Sequence, residues 1–176
     1  MLTHDRERWV PVFGQDHAQI ESHGLAKLSA VTTAHVETIA TAVLAVDTSG
    51  EGFFDITRDA QAFLAAAKAR DGALLLYLKH TSASLVIQES ADADVRTDLV
   101  MALKRLAPAH AGYVHEVEGP DDMPAHIKSM LNGVSLQVPV AGGALALGTW
   151  QGIYLVEHRA HPHRREVILQ FLGRCV

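Results

Sequence analysis

A single cysteine, Cys175, excludes an intrachain disulfide framework and any zinc ribbon built on cysteine pairs. Its isolation fits a reducing compartment. No apolar run approaches the roughly 20 residues that a membrane-spanning helix needs. The opening "MLTHDRERW" is charged and lacks the apolar core of a signal peptide. The protein is therefore expected in the cytoplasm, with no membrane partner. Basic residues occur only locally, as in "HRR" (His163 to Arg165), and the formal charge is −5. Without a basic stripe, nucleic acid is not an expected partner. Neither GxGxxG nor GxxxxGK[ST] occurs, so dinucleotides and nucleoside triphosphates lose their usual signatures. The GxSxG elbow of serine hydrolases and the HExxH of zinc proteases are missing as well.

What is present suits one globular domain: 176 residues, 48% of them hydrophobic, can bury a core. Residues 1–30, with the irregularly spaced His4, His17 and His23, show weak periodicity and read as a loosely ordered N-terminal extension. The domain is placed at 31–176. "TIATAVLAV" is β-rich, "TSGEG" is turn chemistry and "FFDIT" is a short second strand. Asp55 or Thr57 can cap a helix in "RDAQAFLAAAKAR". The run Ala73 to Leu78 suits a strand buried on both faces, and "SLVIQES" continues as strand. In "DADVRTDLVMALKRLAP", Val95, Leu99, Ala102 and Leu106 recur at helical spacing. "EGPDDMPAHIKSML" supplies a third, shorter helix, and "VSLQVPV", "ALALGTWQGIYLVEH" and "REVILQFL" three closing strands. The second of these has Gly148 and Gly152 as candidate bends. The expectation is one α+β domain with a largely antiparallel sheet and about three helices.

Three stretches carry possible chemistry. At the entrance of the third helix, Asp121 or Asp122 can cap backbone amides, and Asn132-Gly133 closes the far end. Capping leaves Glu118, the second aspartate, His126 and Lys128 unexplained. His126 lies four residues after Asp122, so the two side chains can meet, as a carboxylate meets a metal-ligating imidazole. His115 stands just upstream in "YVHEVEG". A second stretch, "HTSASL", places His80, Thr81, Ser82 and Ser84 at the mouth of an apolar strand. A polar strand end making turn hydrogen bonds is the alternative explanation. In the third, "GTWQGIYLVEHR", an extended chain sets Thr149, Gln151, Glu157 and Arg159 on one face. Arg159 could grip a phosphate there, or simply pair with Glu157. His158, His161 and His163 read as an exposed turn.

"HTSASLVIQES", "YVHEVEGPDDMPAHIKS" and "GTWQGIYLVEHR", in that order, resemble the YjbQ-like family, known as the secondary thiamin phosphate synthase family. The similarity runs from about Val31 to the C-terminus. It implies a barrel-like, mainly antiparallel α+β fold, a homotrimer and a weak activity that joins a hydroxymethylpyrimidine diphosphate to a thiazole phosphate. The pattern carries over to His80, Thr81, Ser82, Ser84 and Glu89, then to His115, Asp121, His126 and Lys128, then to Thr149, Trp150, Gln151 and Glu157. Because each lies within a matching stretch, His80, His115 and His126 are expected to hold a divalent ion, zinc or magnesium. Thr81, Ser82, Ser84, Lys128, Thr149, Gln151 and Arg159 are the expected phosphate donors for a small phosphorylated partner. Glu89, Asp121 or Glu157 would orient a substrate amino group or a ligating histidine, and Lys128 would help neutralise the departing diphosphate. The same groups could instead activate water in a metal-assisted hydrolase, or hold a metabolite without turnover.

Overall fold

The computed structural model describes residues 33 and 35–176. The expected N-terminal extension, with His4, His17 and His23, lies outside these. Eight strands and three helices follow in the order β1 (Thr38–Thr48), β2 (Gly52–Asp55), α1 (Thr57–Ala66), β3 (Ala69–Leu78), β4 (Ala83–Glu89), α2 (Ala93–Leu106), α3 (Asp122–Asn132), β5 (Ser135–Ala141), β6 (Ala144–Leu145), β7 (Gln151–Glu157) and β8 (His163–Cys175). They form a five-stranded sheet, β1-β8-β3-β5-β6, and a three-stranded sheet, β2-β7-β4. Every pairing is antiparallel. The sheet curls into a half-barrel, the α+β architecture expected.

Alternation builds the core. Leu74, Leu76 and Leu78 of β3, Val138 and Val140 of β5, and Val167, Leu169 and Phe171 of β8 all point inward. They meet Leu85 of β4, Ile153 and Leu155 of β7, and Ile56, Ala60 and Leu64 around α1. The entry to α1 is held as anticipated, with the Thr57 amide donating to Asp55 Oδ1 at 2.8 Å. Asp92 does the same for α2 through the Asp94 amide, at 2.8 Å. β3 and β8 approach so closely at Gly72 that a Cβ there would sit 2.2 Å from the Leu172 carbonyl oxygen.

Two expectations need correction. β3 is buried on one face only: Leu75 and Tyr77 point outward, 37% and 51% exposed. In an antiparallel sheet with one face on the core, half of an apolar run must face out. "ALALGTWQGIYLVEH" is also not one strand. It breaks between β6 and β7, where the Gly148 amide donates to Gln151 Oε1 at 2.8 Å and closes a turn. β7 then runs buried from Gly152 to Glu157.

Candidate metal centre and the adjoining charged network

α3 begins where the loop after α2 returns to the sheet. Asp121 occupies its N-cap, yet its side chain caps no helix amide. Instead its Oδ2 accepts from Arg159 Nε at 3.1 Å and from the Ala160 amide at 2.9 Å. Burial alone would raise the Asp121 pKa, but those two donors outweigh it and hold the carboxyl below its usual range. Asp122, one residue on, is buried and turns Oδ1 to Arg159 Nη1. Arg159 Nη2 donates to the Glu118 carbonyl at 2.7 Å. Burial would lower the Arg159 pKa; Asp121, Asp122 and Glu118 reverse that, and it stays charged. With its guanidinium committed to the α3 entrance, Arg159 acts here as a clamp on the loop rather than as a free phosphate grip.

The other oxygen of Asp122 carries the centre. Oδ2 lies 2.8 Å from His115 Nε2 and 3.3 Å from His126 Nε2. His126 reaches it from one helical turn away, and the two imidazole rings stand 5.6 Å apart. The His126 tautomer follows from its second nitrogen: Nδ1 is 2.9 Å from the Thr81 carbonyl oxygen, which only accepts, so Nδ1 carries the hydrogen. Nε2 of the neutral ring is then a lone pair aimed at an ionised oxygen. Two acceptors at that separation call for positive charge between them, a proton or a cation. A tetrahedral ion with bonds of about 2.0–2.1 Å sets its ligand atoms about 3.3 Å apart. The His126–Asp122 pair stands at that spacing, and the His115–Asp122 pair, at 2.8 Å, is closer and would open to admit an ion. His115, Asp122 and His126 form one group whose ligand atoms all lie within 4.8 Å of one another. The Arg159 contact to Asp122 and the Thr81 contact to His126 are the outer bonds that such ligands need.

His80 is elsewhere. Its Nε2 accepts from the Glu166 amide at 3.0 Å and its Nδ1 faces Arg165 Nη1 at 3.4 Å. Burial first, and Arg165 second, push its pKa down. The structure thus brings two of the three expected imidazoles together and adds Asp122 in place of the third. Glu157 is fully buried. Arg165 donates to both of its oxygens, at 2.7 and 2.6 Å, Thr48 Oγ1 at 2.9 Å, and the His158 and Arg159 amides at 3.0 Å each. Burial would raise its pKa, but these donors hold it below the ordinary carboxylate range. Its lone pairs are used up in fixing the turn that aims His158 and Arg159.

Ser82 accepts from Arg165 Nη2 at 3.1 Å, and Ser84 Oγ lies 2.9 Å from His158 Nε2. Lys128 is buried and donates to Glu51 Oε1 at 2.6 Å. Glu89 and Gln151 pair at the opposite end of β4 and β7. That is about 20 Å from Ala83 at 3.3 Å per residue. Thr149 lies in the turn beside them, outside the strand, which breaks the one-face arrangement expected with Glu157 and Arg159. Sequence reasoning missed Glu51 and Lys104; Glu51 meets both Lys128 and Lys104 only through the fold. It also took His158 for an exposed turn residue, whereas the ring is 2% exposed. The apolar run "GIYLVEH" was the available signal, because it marks β7 as covered on both faces.

An α+β chain with a curled antiparallel sheet, three helices and a charged cluster at the α3 entrance belongs to a recognisable class of small proteins. The YjbQ-like family, described as UPF0047 protein YjbQ-like, matches residues 42–174, and the chain belongs to it. A UPF0047 protein of Synechocystis sp. is 44% identical over 132 residues, which cover 74% of this chain and 90% of that one. YugU of Bacillus subtilis is 37% identical, covering 72% and 93% of the two chains. Among solved structures, a YjbQ/UPF0047 family protein of Clostridium acetobutylicum superposes with a TM-score of 0.70 at 36% identity, covering 74% of this chain and 98% of its own. A conserved hypothetical protein of Thermus thermophilus gives 0.68 at 39% identity, covering 74% and 99%.

Proposed function

We propose that the protein is a divalent-metal enzyme acting on small phosphorylated substrates, with His115, Asp122 and His126 as the metal ligands. The observation that carries this reading is the convergence of two imidazole Nε2 atoms on one carboxylate oxygen. Three protein ligands leave an open coordination position, the arrangement of catalytic rather than structural zinc sites. An ion there would neutralise the oxygens of a departing diphosphate. Transfer of a hydroxymethylpyrimidine onto a thiazole phosphate, the secondary thiamin phosphate synthase reaction, is the first such chemistry to assay. The open position also favours a second reading: a metal-bound water could hydrolyse a small phosphorylated or amide substrate.

The test pairs diphosphate release with and without the thiazole phosphate. Release that requires the acceptor and is lost in Asp122→Asn supports the transferase. Turnover of a single substrate without acceptor supports the hydrolase. Absence of both, with each divalent ion supplied, sinks the enzyme reading and leaves a metabolite-binding protein.

A homotrimer is part of the proposal. Ile39 and Val43 of β1 are 64% and 57% exposed; across β8, Val43 aligns through Ile168 with the outward Tyr77 of β3, and Ile39 through Leu172 with Ala73. Two apolar rows on one sheet face, separated by the Thr41–Gln170 pair, are suited to burial against a second copy. Sedimentation of a Val43→Lys, Tyr77→Lys variant tests it, since a trimer that survived the two charges would not be using this face. No helix among the described residues is long and apolar enough to cross a membrane. We place the protein in the cytoplasm on its lone, free Cys175.

A further inference from the structure

The opposite face of α3 borders a separate cavity of about 380 Å³. Asp122 and His126 lie on one side of the helix; Asp121, Pro124 and Lys128, at spacings of three and four residues, lie on the other. Glu51 from the β1–β2 turn, Lys104 from α2 and His158 from the end of β7 complete the polar wall. Pro108, Pro124 and Ala160 make the apolar one.

The charges in this wall do not cancel. Lys128 Nζ and Lys104 Nζ both bind Glu51, at 2.6 and 2.7 Å, so two ammonium groups share one carboxylate. The remaining acid, Asp121, is already neutralised by Arg159. Lys128 is only 4% exposed, and it has three donors, of which Glu51 takes one.

His158 supplies the second observation. Its Nε2 lies 2.9 Å from Ser84 Oγ, and the same Oγ accepts from Asn132 Nδ2 at 3.3 Å. The hydroxyl hydrogen is thereby free to point at Nε2, which puts the ring hydrogen on Nδ1. Nδ1 is buried and has no hydrogen-bonding partner among the described residues. A buried donor without an acceptor is costly and rare in native structures, and His158 lines this cavity, so a ligand oxygen drawn in beside the ring would satisfy it. Burial, and then Lys128, push the His158 pKa down to about 4, so the ring offers one hydrogen rather than a charge.

We propose that this cavity binds the phosphate group of a small organic phosphate monoester, with His158 Nδ1 and Lys128 Nζ as donors, Lys104 at the rim and the proline–alanine wall against the organic part. Donors arriving from three elements suit the three oxygens of a phosphoryl group better than the two of a carboxylate. The volume suits a small metabolite. As a second-substrate site it rests on the metal-enzyme reading above, while the binding itself needs no metal.

The test uses the full chain, stripped of metal by chelation, with inorganic phosphate as the probe and acetate at equal ionic strength as the control. The ¹⁵N resonances of the His158 ring are assigned by their loss in His158→Gln. Phosphate is expected to shift the Nδ1 signal saturably in the wild type, and equally in His126→Ala. Lys104→Ala, a change at an exposed side chain that should not impair folding, is expected to weaken the phosphate effect about threefold. A ring that phosphate leaves unmoved overturns the proposal, as does an equal response to acetate. Because no metal is present, a phosphate response with no metal ever bound would sink only the metal-enzyme reading. Bound metal with an unresponsive His158 would sink only this site.

Discussion

Replacing Arg165 with methionine probes the bond network that holds the site's turn in place. The substitution keeps the apolar stem and removes two donors to Glu157, at 2.7 and 2.6 Å, together with the 3.1 Å bond to Ser82. Glu157 is 0% exposed, so the change strands a buried charge, at a cost of about 3–5 kcal/mol. Thr48 and the His158 and Arg159 amides still donate to Glu157, which argues for the lower end, about 3 kcal/mol. At roughly 2–4 °C per kcal/mol for a domain of this size, the melting temperature should fall by about 6–12 °C at pH 7.

The pH dependence has a definite sign. In the wild type the folded Glu157 pKa is depressed, so its stabilisation is present above the unfolded value and is lost as pH falls through the folded one. In Arg165→Met, burial prevails and the carboxyl prefers its neutral form. The gap between variant and wild type should therefore narrow as pH is lowered toward 4. Replacing both residues, in Arg165→Met with Glu157→Gln, should recover most of the loss. Thermal unfolding followed by circular dichroism measures all three. A single variant within about 0.5 kcal/mol of wild type at pH 7 would refute the reasoning, because no surface-like substitution explains a buried pair.

Two further outcomes follow from the same geometry. His158, depressed to about 4 while the unfolded chain binds a proton near the ordinary value, should lower stability as pH falls from about 6.5 to about 4. The effect is about 3 kcal/mol in full, and NMR should show the ring neutral throughout pH 5.5–8. Gly133 closes α3 at φ 90° and ψ 168°, a region nearly reserved to glycine. Gly133→Ala should cost about 1–3 kcal/mol by denaturant titration, and a neutral result would mean that the turn relaxes elsewhere.

Much of the fold was legible because its signals are local. Alternation marked the strands, the three-and-four spacing of Val95, Leu99 and Ala102 marked α2, and "DD…NG" bracketed α3. The break in "ALALGTWQGIYLVEH" was harder, because it depends on a Gln151 side chain bonding back to the Gly148 amide. For the site, the Asp122–His126 pairing was readable at four residues' separation. The fate of His80 was not, since Glu166 and Arg165, which face its two nitrogens, lie more than eighty residues away on β8. Nor was the role of Arg159, whose aspartate partners sit 38 and 37 positions earlier in the chain. Sequence spacing carries a residue's face within one element; it does not carry which elements meet.

The central claim is that His115, Asp122 and His126 hold a divalent ion. The most direct test is elemental analysis of purified, untagged protein after zinc, magnesium or manganese is supplied, on the wild type and on His126→Ala, Asp122→Asn and His80→Ala. One ion per chain in the wild type and in His80→Ala, absent from the other two, is the predicted result. A metal-free wild type, or an ion kept in His126→Ala and lost in His80→Ala, would contradict it.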